Sequence, residues 1–329
     1  MECLVGKVSI FLIINSISER DFFNAKGVIN PTNPNFVKNG NLNRTLIVIT
    51  GPTASGKSCL AMRMAAELDC AIVSADSRQL YRGMDIGTAK PTAEDRAIIP
   101  HFMLDILHPG ERYSAARYEK DATKVLEALF QKESEVIVCG GTGFYIKALL
   151  EGLDPIPHVP KEVYDELNKK LERQGLDSLV QKLLEVDPLR AKEINLQNPR
   201  RVIRSLGVWE STGKPFSAFK RDHPKELPWH IEKMLLLPDR ESLYAKIDKR
   251  VDEMLNGGLE DEARKLHENG VLGKIDTVGY SEWSNYFKGT IDLDSCVALI
   301  KRNTRRYAKR QYTWFRKLTG WRRIFTKSP

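Results

Sequence analysis

Leu46-Ile47-Val48-Ile49 runs directly, through Thr50, into Gly51-Pro52-Thr53-Ala54-Ser55-Gly56-Lys57-Ser58, and this stretch decides the fold. The first four residues are an apolar, largely β-branched run of the kind that forms a buried strand. The eight that follow are a full match to the phosphate-binding loop pattern. Its glycines let successive backbone N–H groups point inward and form a concave anion nest. The apolar helix behind it, marked by Leu60, Met64 and Leu68, adds its positive end. Lys57 is placed to reach outer phosphate oxygens and Ser58 to hold a Mg²⁺ ion. The alternative is a Gly/Ser turn without a ligand; the strand before and the helix after argue against it.

Moving outward, Ala71-Ile72-Val73-Ser74 reads as a second strand, ending in Asp76-Ser77-Arg78-Gln79. Ligands of open α/β sheets sit beyond the carboxyl ends of the strands, so Asp76 is expected to face the crevice of the loop. A helix over 114–130 follows, with Ala115, Tyr118, Ala122, Val125 and Leu129 on one stripe. Val136-Ile137-Val138 then makes a third strand and closes in Gly140-Gly141-Thr142-Gly143. Three such strands with helices between predict an α/β fold, a P-loop NTPase-like parallel sheet flanked by helices. Leu235-Leu236-Leu237 is a candidate fourth strand. The Thr142 hydroxyl can donate to a leaving oxygen of a diphosphate.

Composition shifts at Asp154-Pro155-Ile156-Pro157-His158-Val159-Pro160. Past this proline-stiffened linker, helices over 162–174, 176–185 and 188–193 predict a small all-helical insertion domain at 155–197. The core is then 44–154 and 198–329, and residues 1–43 form an extension with linker chemistry at 30–35. Arg200, Arg201 and Arg204 cluster near one helical face, suited to phosphates and stacked bases.

The chain carries a formal net charge of +8, and residues 301–329 hold eleven bases and no acid, so the remaining 300 residues sum to −3. The tail is read as a basic helix with Arg305, Lys309, Tyr312 and Arg316 on one face and Tyr307, Trp314 and Phe315 interleaved. Such a face suits an RNA backbone and a splayed base. Five widely spaced cysteines without a C-x-x-C pair argue against a disulfide framework or a thiolate zinc site and suit a reducing cytoplasm. No apolar run approaches the roughly 20 residues that a membrane span needs.

Taken together, GPTASGKS, SADSRQLYRGMDIGTAKPT, HFMLDI, Tyr113-Ser114-Ala115, VIVCGGTGFYIKALLEGL, NPRRVIRSLGVWESTGKPFS, PDRESLYAKIDKRVDEML, Val278-Gly279-Tyr280 and KRQYTWFR resemble the tRNA dimethylallyltransferase (tRNA isopentenyltransferase) family. The resemblance spans about residues 44 to 318, in the family's order, and is to its bacterial type. It implies transfer of a dimethylallyl group from dimethylallyl diphosphate to N6 of the adenosine 3′ of the anticodon in tRNA (adenosine 37), with release of diphosphate. It implies catalytic roles for Asp76 (proton acceptor), Thr142 and Lys57, and diphosphate binding by residues 51–58 and Arg250 with Mg²⁺. For tRNA it implies contacts from Asp76, Ser77, Arg78, Gln79, Arg200, Arg201, Arg204, Gly279, Tyr280, Lys309, Arg310, Gln311, Trp314 and Arg316. The insertion is expected to grip the anticodon stem-loop, and the protein to act as a monomer without a membrane partner. Two other readings stay open on the residues: the same chemistry on free AMP, ADP or ATP, and an ATP-hydrolysing P-loop protein that binds RNA. The basic tail weighs against the first. The lack of an acidic Walker-B strand end, where GGTG stands instead, weighs against the second.

Overall fold

A computed structural model describes residues 44–221 and 223–324. The expectations placed on residues 1–43 and on Lys327 lie outside the described residues. In chain order the first part holds β1 (Thr45–Thr50), α1 (Lys57–Leu68), β2 (Ile72–Ser74), α2 (Ala93–Ile98), β3 (His101–Phe102), α3 (Ala115–Leu129), β4 (Glu135–Gly140) and α4 (Gly143–Glu151). Then come α5 (Lys161–Val186), α6 (Pro188–Glu193) and α7 (Pro199–Thr212). The chain closes with β5 (His230–Leu236), α8 (Arg240–Asn256), α9 (Leu259–Glu268), α10 (Trp283–Phe287), α11 (Leu293–Phe315) and β6 (Arg322–Ile324).

The six strands form one parallel sheet in the order β3-β2-β4-β1-β5-β6. β1 is buried along its whole length, which is why it reads as an unbroken apolar run rather than an alternating one. On one face Leu60, Ala61, Met64 and Ala65 of α1 pack over Ile47, Ile49, Ile137 and Met234. A second apolar cluster gathers Met84, Val251, Leu259, Leu266, Tyr280, Trp283 and Ile300.

The chain divides into two compact units, 1–149 with 227–329, and 150–226. The helical unit is therefore wider than the 155–197 expected from sequence. Its extra helix is α7, whose apolar stripe (Val202, Ile203, Leu206) finds its partners in Leu167, Leu179 and Leu183 of α5. Arg200, Arg201 and Arg204 belong to that unit and not to the core. The two helices expected at 162–174 and 176–185 are the halves of α5, broken at Gly175 (φ 78°, ψ 173°), a conformation glycine adopts without a Cβ penalty.

The basic tail is a helix over only part of its length. α11 begins at Leu293, where the Asp292 carboxylate caps the Ser295 N–H, and ends at Phe315. Phe315 is buried against Leu235 and Leu237. The chain then turns and returns as β6 beside β5, so Arg322 and Arg323 sit on an edge strand rather than on a helix.

Candidate active site

The loop between β1 and α1 has the geometry its glycines predict. A Cβ at Gly51 would lie 2.4 Å from the Leu236 carbonyl oxygen, so only glycine lets β1 turn there beside β5. Gly56, at φ 89°, makes the left-handed step into α1. Pro52 and Ser55 are buried, and the Ser55 hydroxyl has no hydrogen-bond partner among the described residues. Lys57 is buried with its ammonium across the loop, donating to the Pro52 carbonyl at 3.3 Å. Burial pulls its pKa below the usual lysine range; the Asp76 carboxylate opposes the shift and Arg250 adds to it. Thr53 is a junction: its N–H donates to Gln311 Oε1 at 2.9 Å, and its hydroxyl accepts from Arg250 Nη1 at 3.4 Å. Ala54, at φ 61°, packs with the cluster around Leu243 and Ile247.

Asp76 is delivered to this loop by the close approach of β2 and β4. The Ala75 N–H donates to the Cys139 carbonyl (2.8 Å) and its carbonyl accepts from the Thr142 N–H (3.1 Å). A Cβ at Gly140 would fall 2.2 Å from the Ala75 carbonyl. Past that crossing the Asp76 carboxylate accepts the Arg78 N–H at 2.9 Å. Thr142 Oγ1 accepts the Ser77 N–H at 2.9 Å and donates to Ser77 Oγ at 3.3 Å. Its hydroxyl thus props the turn carrying Asp76, and must let go of Ser77 Oγ before it can donate to a diphosphate. Gln79 is spent in the same way. Its amide donates to the Thr88 and Ala89 carbonyls (3.3 and 3.1 Å) and accepts from Ser74 Oγ (2.9 Å), which bolts the 84–91 loop to β2.

Two cavities meet at this point. The larger, about 640 Å³, is lined by Lys57, Ser58, Asp76, Gln79, Arg250 and Glu253 among others. The smaller, about 200 Å³, has an apolar wall of Ile247, Val251, Met254, Val278 and Ile300. Thr53, Asp76, Thr88, Arg250 and Met254 line both. Arg250 is largely desolvated, which lowers its pKa, while Asp76 and Glu253 oppose the shift; a guanidinium remains charged regardless. Tyr307, on the smaller cavity, is pushed up to about 12 by burial and by the nearby Asp76, so its phenol stays a neutral donor. Burial likewise holds the Cys139 thiol up at about 12, neutral beside Lys57.

The donor set suits a Mg²⁺ held mainly by a ligand. Ser58 and the Asp76 and Glu253 carboxylates line the larger cavity, and no cluster of three His, Cys, Asp or Glu fit for a metal occurs among the described residues. Magnesium commonly keeps its waters and takes one or two protein oxygens plus substrate phosphates.

The cationic face of α11 differs from the one its periodicity suggests. Arg305 is paired with Asp248 and Lys301 with Asp252 (2.6 Å), both on α8, and Tyr312 packs into the core. Arg302, Arg306, Lys309, Arg310 and Trp314 are exposed, as are Arg316 and Lys317 just past the helix. Arg310 stacks on Tyr307 with 5.7 Å from its guanidinium carbon to the ring centroid. Trp314 covers the turn at Gly143, where a Cβ would touch the indole at 2.4 Å. Gln311, which the resemblance implies as an RNA contact, is buried. It joins the two glycine-rich loops, accepting from the Thr53 N–H and donating to the Gly141 carbonyl at 2.8 Å. In the helical unit Arg200 and Arg201 are exposed, and Arg204 donates to the Tyr164 hydroxyl.

Tyr280 requires the clearest correction. It is fully buried, with its hydroxyl donating to Glu262, so its ring is not available to RNA in this conformation. Gly279, at φ 94°, lines the smaller cavity with its N–H donating to Glu282. Sequence reasoning missed Glu262, whose carboxylate accepts the N–H groups of Asp85, Ile86 and Gly87 at 2.8, 2.9 and 3.1 Å. It fixes the loop that brings Gly87 and Thr88 to the cavity wall, yet on α9 it reads as one more solvated helix acid. Glu262→Ala is expected to lower stability in urea titrations by about 2–3 kcal/mol, with Glu262→Gln recovering part of the loss.

A parallel sheet with a phosphate-binding loop, an acid held over that loop and an exposed cationic helix beside it define a P-loop protein built for a phosphorylated ligand and a polyanion. The family model described as IPP transferase matches residues 79–318, and the chain belongs to that family. It is similar to a tRNA dimethylallyltransferase of Cytophaga hutchinsonii, 44% identical over 276 residues, covering 84% of this chain and 91% of the relative. It is also similar to tRNA dimethylallyltransferase 1 of Bacteroides fragilis, 42% identical over 274 residues, with 83% and 91% covered. The crystal structure of the full-length tRNA isopentenylpyrophosphate transferase of Bacillus halodurans superposes with a TM-score of 0.62 at 35% identity, over 86% of this chain and 90% of that one. A eukaryotic dimethylallyltransferase acting on tRNA superposes with a TM-score of 0.72 at 27% identity, over 82% and 69%. No helix among the described residues is long and apolar enough to cross a membrane.

Proposed function

We propose that this protein transfers a dimethylallyl group from dimethylallyl diphosphate to N6 of the adenosine immediately 3′ of the anticodon in tRNA (adenosine 37), releasing diphosphate. The observation that carries the reading is the wall shared by the two cavities: Asp76 and Arg250 stand between the pocket that holds Lys57 and Ser58 of the phosphate loop and a second pocket with an apolar wall. The diphosphate lies on the loop amides of 51–58 with Lys57 and Arg250, and the five-carbon group lies against Ile247, Val251, Met254 and Ile300. Burying those carbons contributes about 0.8 kcal/mol each to holding the donor. Adenine N6 attacks the first donor carbon, the C–O bond to diphosphate breaks, and the N6 proton passes to Asp76. Lys57 and Arg250 hold the charge that develops on the leaving diphosphate, joined by Thr142 once its hydroxyl turns from Ser77. Ser58 would hold a Mg²⁺ ion on that diphosphate, and the ion would supply further charge neutralisation there. Lys309, Arg310, Trp314 and Arg316 face the RNA, Asp76, Ser77 and Arg78 meet the target nucleotide, and Arg200, Arg201 and Arg204 contact the anticodon stem-loop.

The test is incubation of the protein with radiolabelled dimethylallyl diphosphate and either undermodified tRNA or AMP. Label is expected in tRNA alone, with transfer weakening steeply as salt rises because phosphate contacts release counterions. Label in AMP would instead place the chain with mononucleotide prenyltransferases, and release of phosphate from ATP without transfer would place it with RNA-bound ATPases.

A further inference from the structure

A third cavity, about 580 Å³, adjoins the smaller one and shares Arg78, Asp276 and Thr277 with it. Four cations line it, Arg78, Arg112, Arg117 and Lys274, against two acids, Glu111 and Asp276. Arg117 is already engaged, lying 4.9 Å over the Tyr113 ring and 3.5 Å from Asp121. Arg78, Arg112 and Lys274 form no ion pair among the described residues. Tyr81 braces the rim by donating to the Glu111 carbonyl at 2.8 Å, which leaves the Tyr113 ring as the aromatic wall.

A second observation points to a ligand. Thr277 is 4% exposed, lines both cavities, and its hydroxyl has no hydrogen-bond partner among the described residues. A buried hydroxyl left unpaired costs about 1–3 kcal/mol, so its place at the junction is best accounted for by a partner that arrives there. Three unpaired cations around a hollow call for an anion of the backbone kind, and a ring with a guanidinium over it suits a base.

We propose that this hollow is a nucleotide subsite. It holds the backbone phosphate next to the extruded adenosine between Arg112 and Lys274, with Thr277 bonding the chain as it passes from the inner cavity. The inference rests on the RNA-modifying reading above; it adds residues 112 and 274 to the groups that grip the substrate and gives a defined role to the hydroxyl of Thr277, which stands in the block that resembles the family's tRNA contacts.

The test is a double variant, Arg112→Ala with Lys274→Ala, both exposed side chains whose loss leaves the core intact, compared with the wild type on an anticodon stem-loop RNA. The KM for RNA is expected to rise at least about tenfold, with kcat and the donor KM within twofold. The slope of log binding against log salt is expected to fall by about 1, for the one phosphate no longer neutralised. Stem-loops carrying a single neutral methylphosphonate linkage locate the contact. At one linkage flanking the target the wild type is expected to lose about tenfold in RNA affinity and the double variant nothing. Thr277→Val should weaken RNA binding without changing the salt slope. Equal methylphosphonate penalties in both proteins at every linkage, or an unchanged salt slope, would overturn the proposal. Stem-loop affinity and its salt slope are measured by fluorescence anisotropy, without turnover. If the wild type transfers no label, the function proposed above fails, and the anisotropy still decides whether the subsite exists.

Discussion

Asp76→Asn is expected to reduce single-turnover transfer by about 10²–10⁴-fold, the range in which a positioned proton acceptor contributes. Asparagine keeps the shape and still offers an oxygen to the Arg78 N–H that holds the turn at 2.9 Å, so the fold should be preserved. What it removes is the group that takes the N6 proton. The same change has a second consequence of opposite sign. The Asp76 carboxylate raises the pKa of both Lys57 and Arg250, so it offsets part of the positive field around the phosphate pocket. With that charge gone, the donor anion is bound by less compensated cations, and the donor KM should fall while kcat collapses. Donor affinity by calorimetry beside rapid-quench transfer reads both. Turnover within tenfold of wild type would remove Asp76 from the chemistry, and a raised donor KM would show that it holds the diphosphate site together instead.

The parts of this site that were legible in the sequence are those whose chemistry is local. The phosphate loop is a contiguous string with its strand and helix attached, and β1, α1 and the end of β2 follow from it without tertiary information. What the sequence hid depends on partners far along the chain. Gln311 sits in a run of bases and reads as one more RNA contact, but its amide is consumed by Thr53 and Gly141, 258 and 170 residues away. Arg305 and Lys301 look like the same cationic stripe as Lys309, and only the acids of α8 opposite them show that they are spent. Tyr280 stands among the RNA contacts only through the resemblance, and the carboxylate that buries it, Glu262 on α9, lies outside the matching block. The extent of the helical unit was underestimated because α7 opens with basic residues, while its apolar stripe is recognisable only once α5 is seen to cover it.

The GGTG turn shows the same dependence most sharply, and it carries a quantitative expectation. A Cβ at Gly140 would sit 2.2 Å from the carbonyl carbon and oxygen of Ala75, where ordinary contact begins at 3.4 Å. Both neighbours are backbone, held by the Ala75 bonds to Cys139 and Thr142, so Gly140→Ala forces the segment entering Asp76 to move by about 1 Å. A misplacement of that size costs about 10²-fold in rate where a reacting group must be aligned, and overpacking of this kind costs about 1–3 kcal/mol in stability. Stem-loop affinity should stay within a few-fold, because the exposed face of α11 is untouched. The next glycine is the control. A Cβ at Gly141 meets Gln311 Nε2 at 2.7 Å, a side chain and not the backbone that enters Asp76, so Gly141→Ala should disturb the Gln311 bridge yet leave the carboxylate in place and lose less than tenfold in rate. Rates and melting temperatures of the two variants, measured together, separate a turn that merely resists extra volume from one that sets the position of Asp76. Equal losses in both would favour the first, whereas a rate loss confined to Gly140→Ala at similar melting temperatures would mean that the sheet uses this glycine to hold a carboxylate over a phosphate loop.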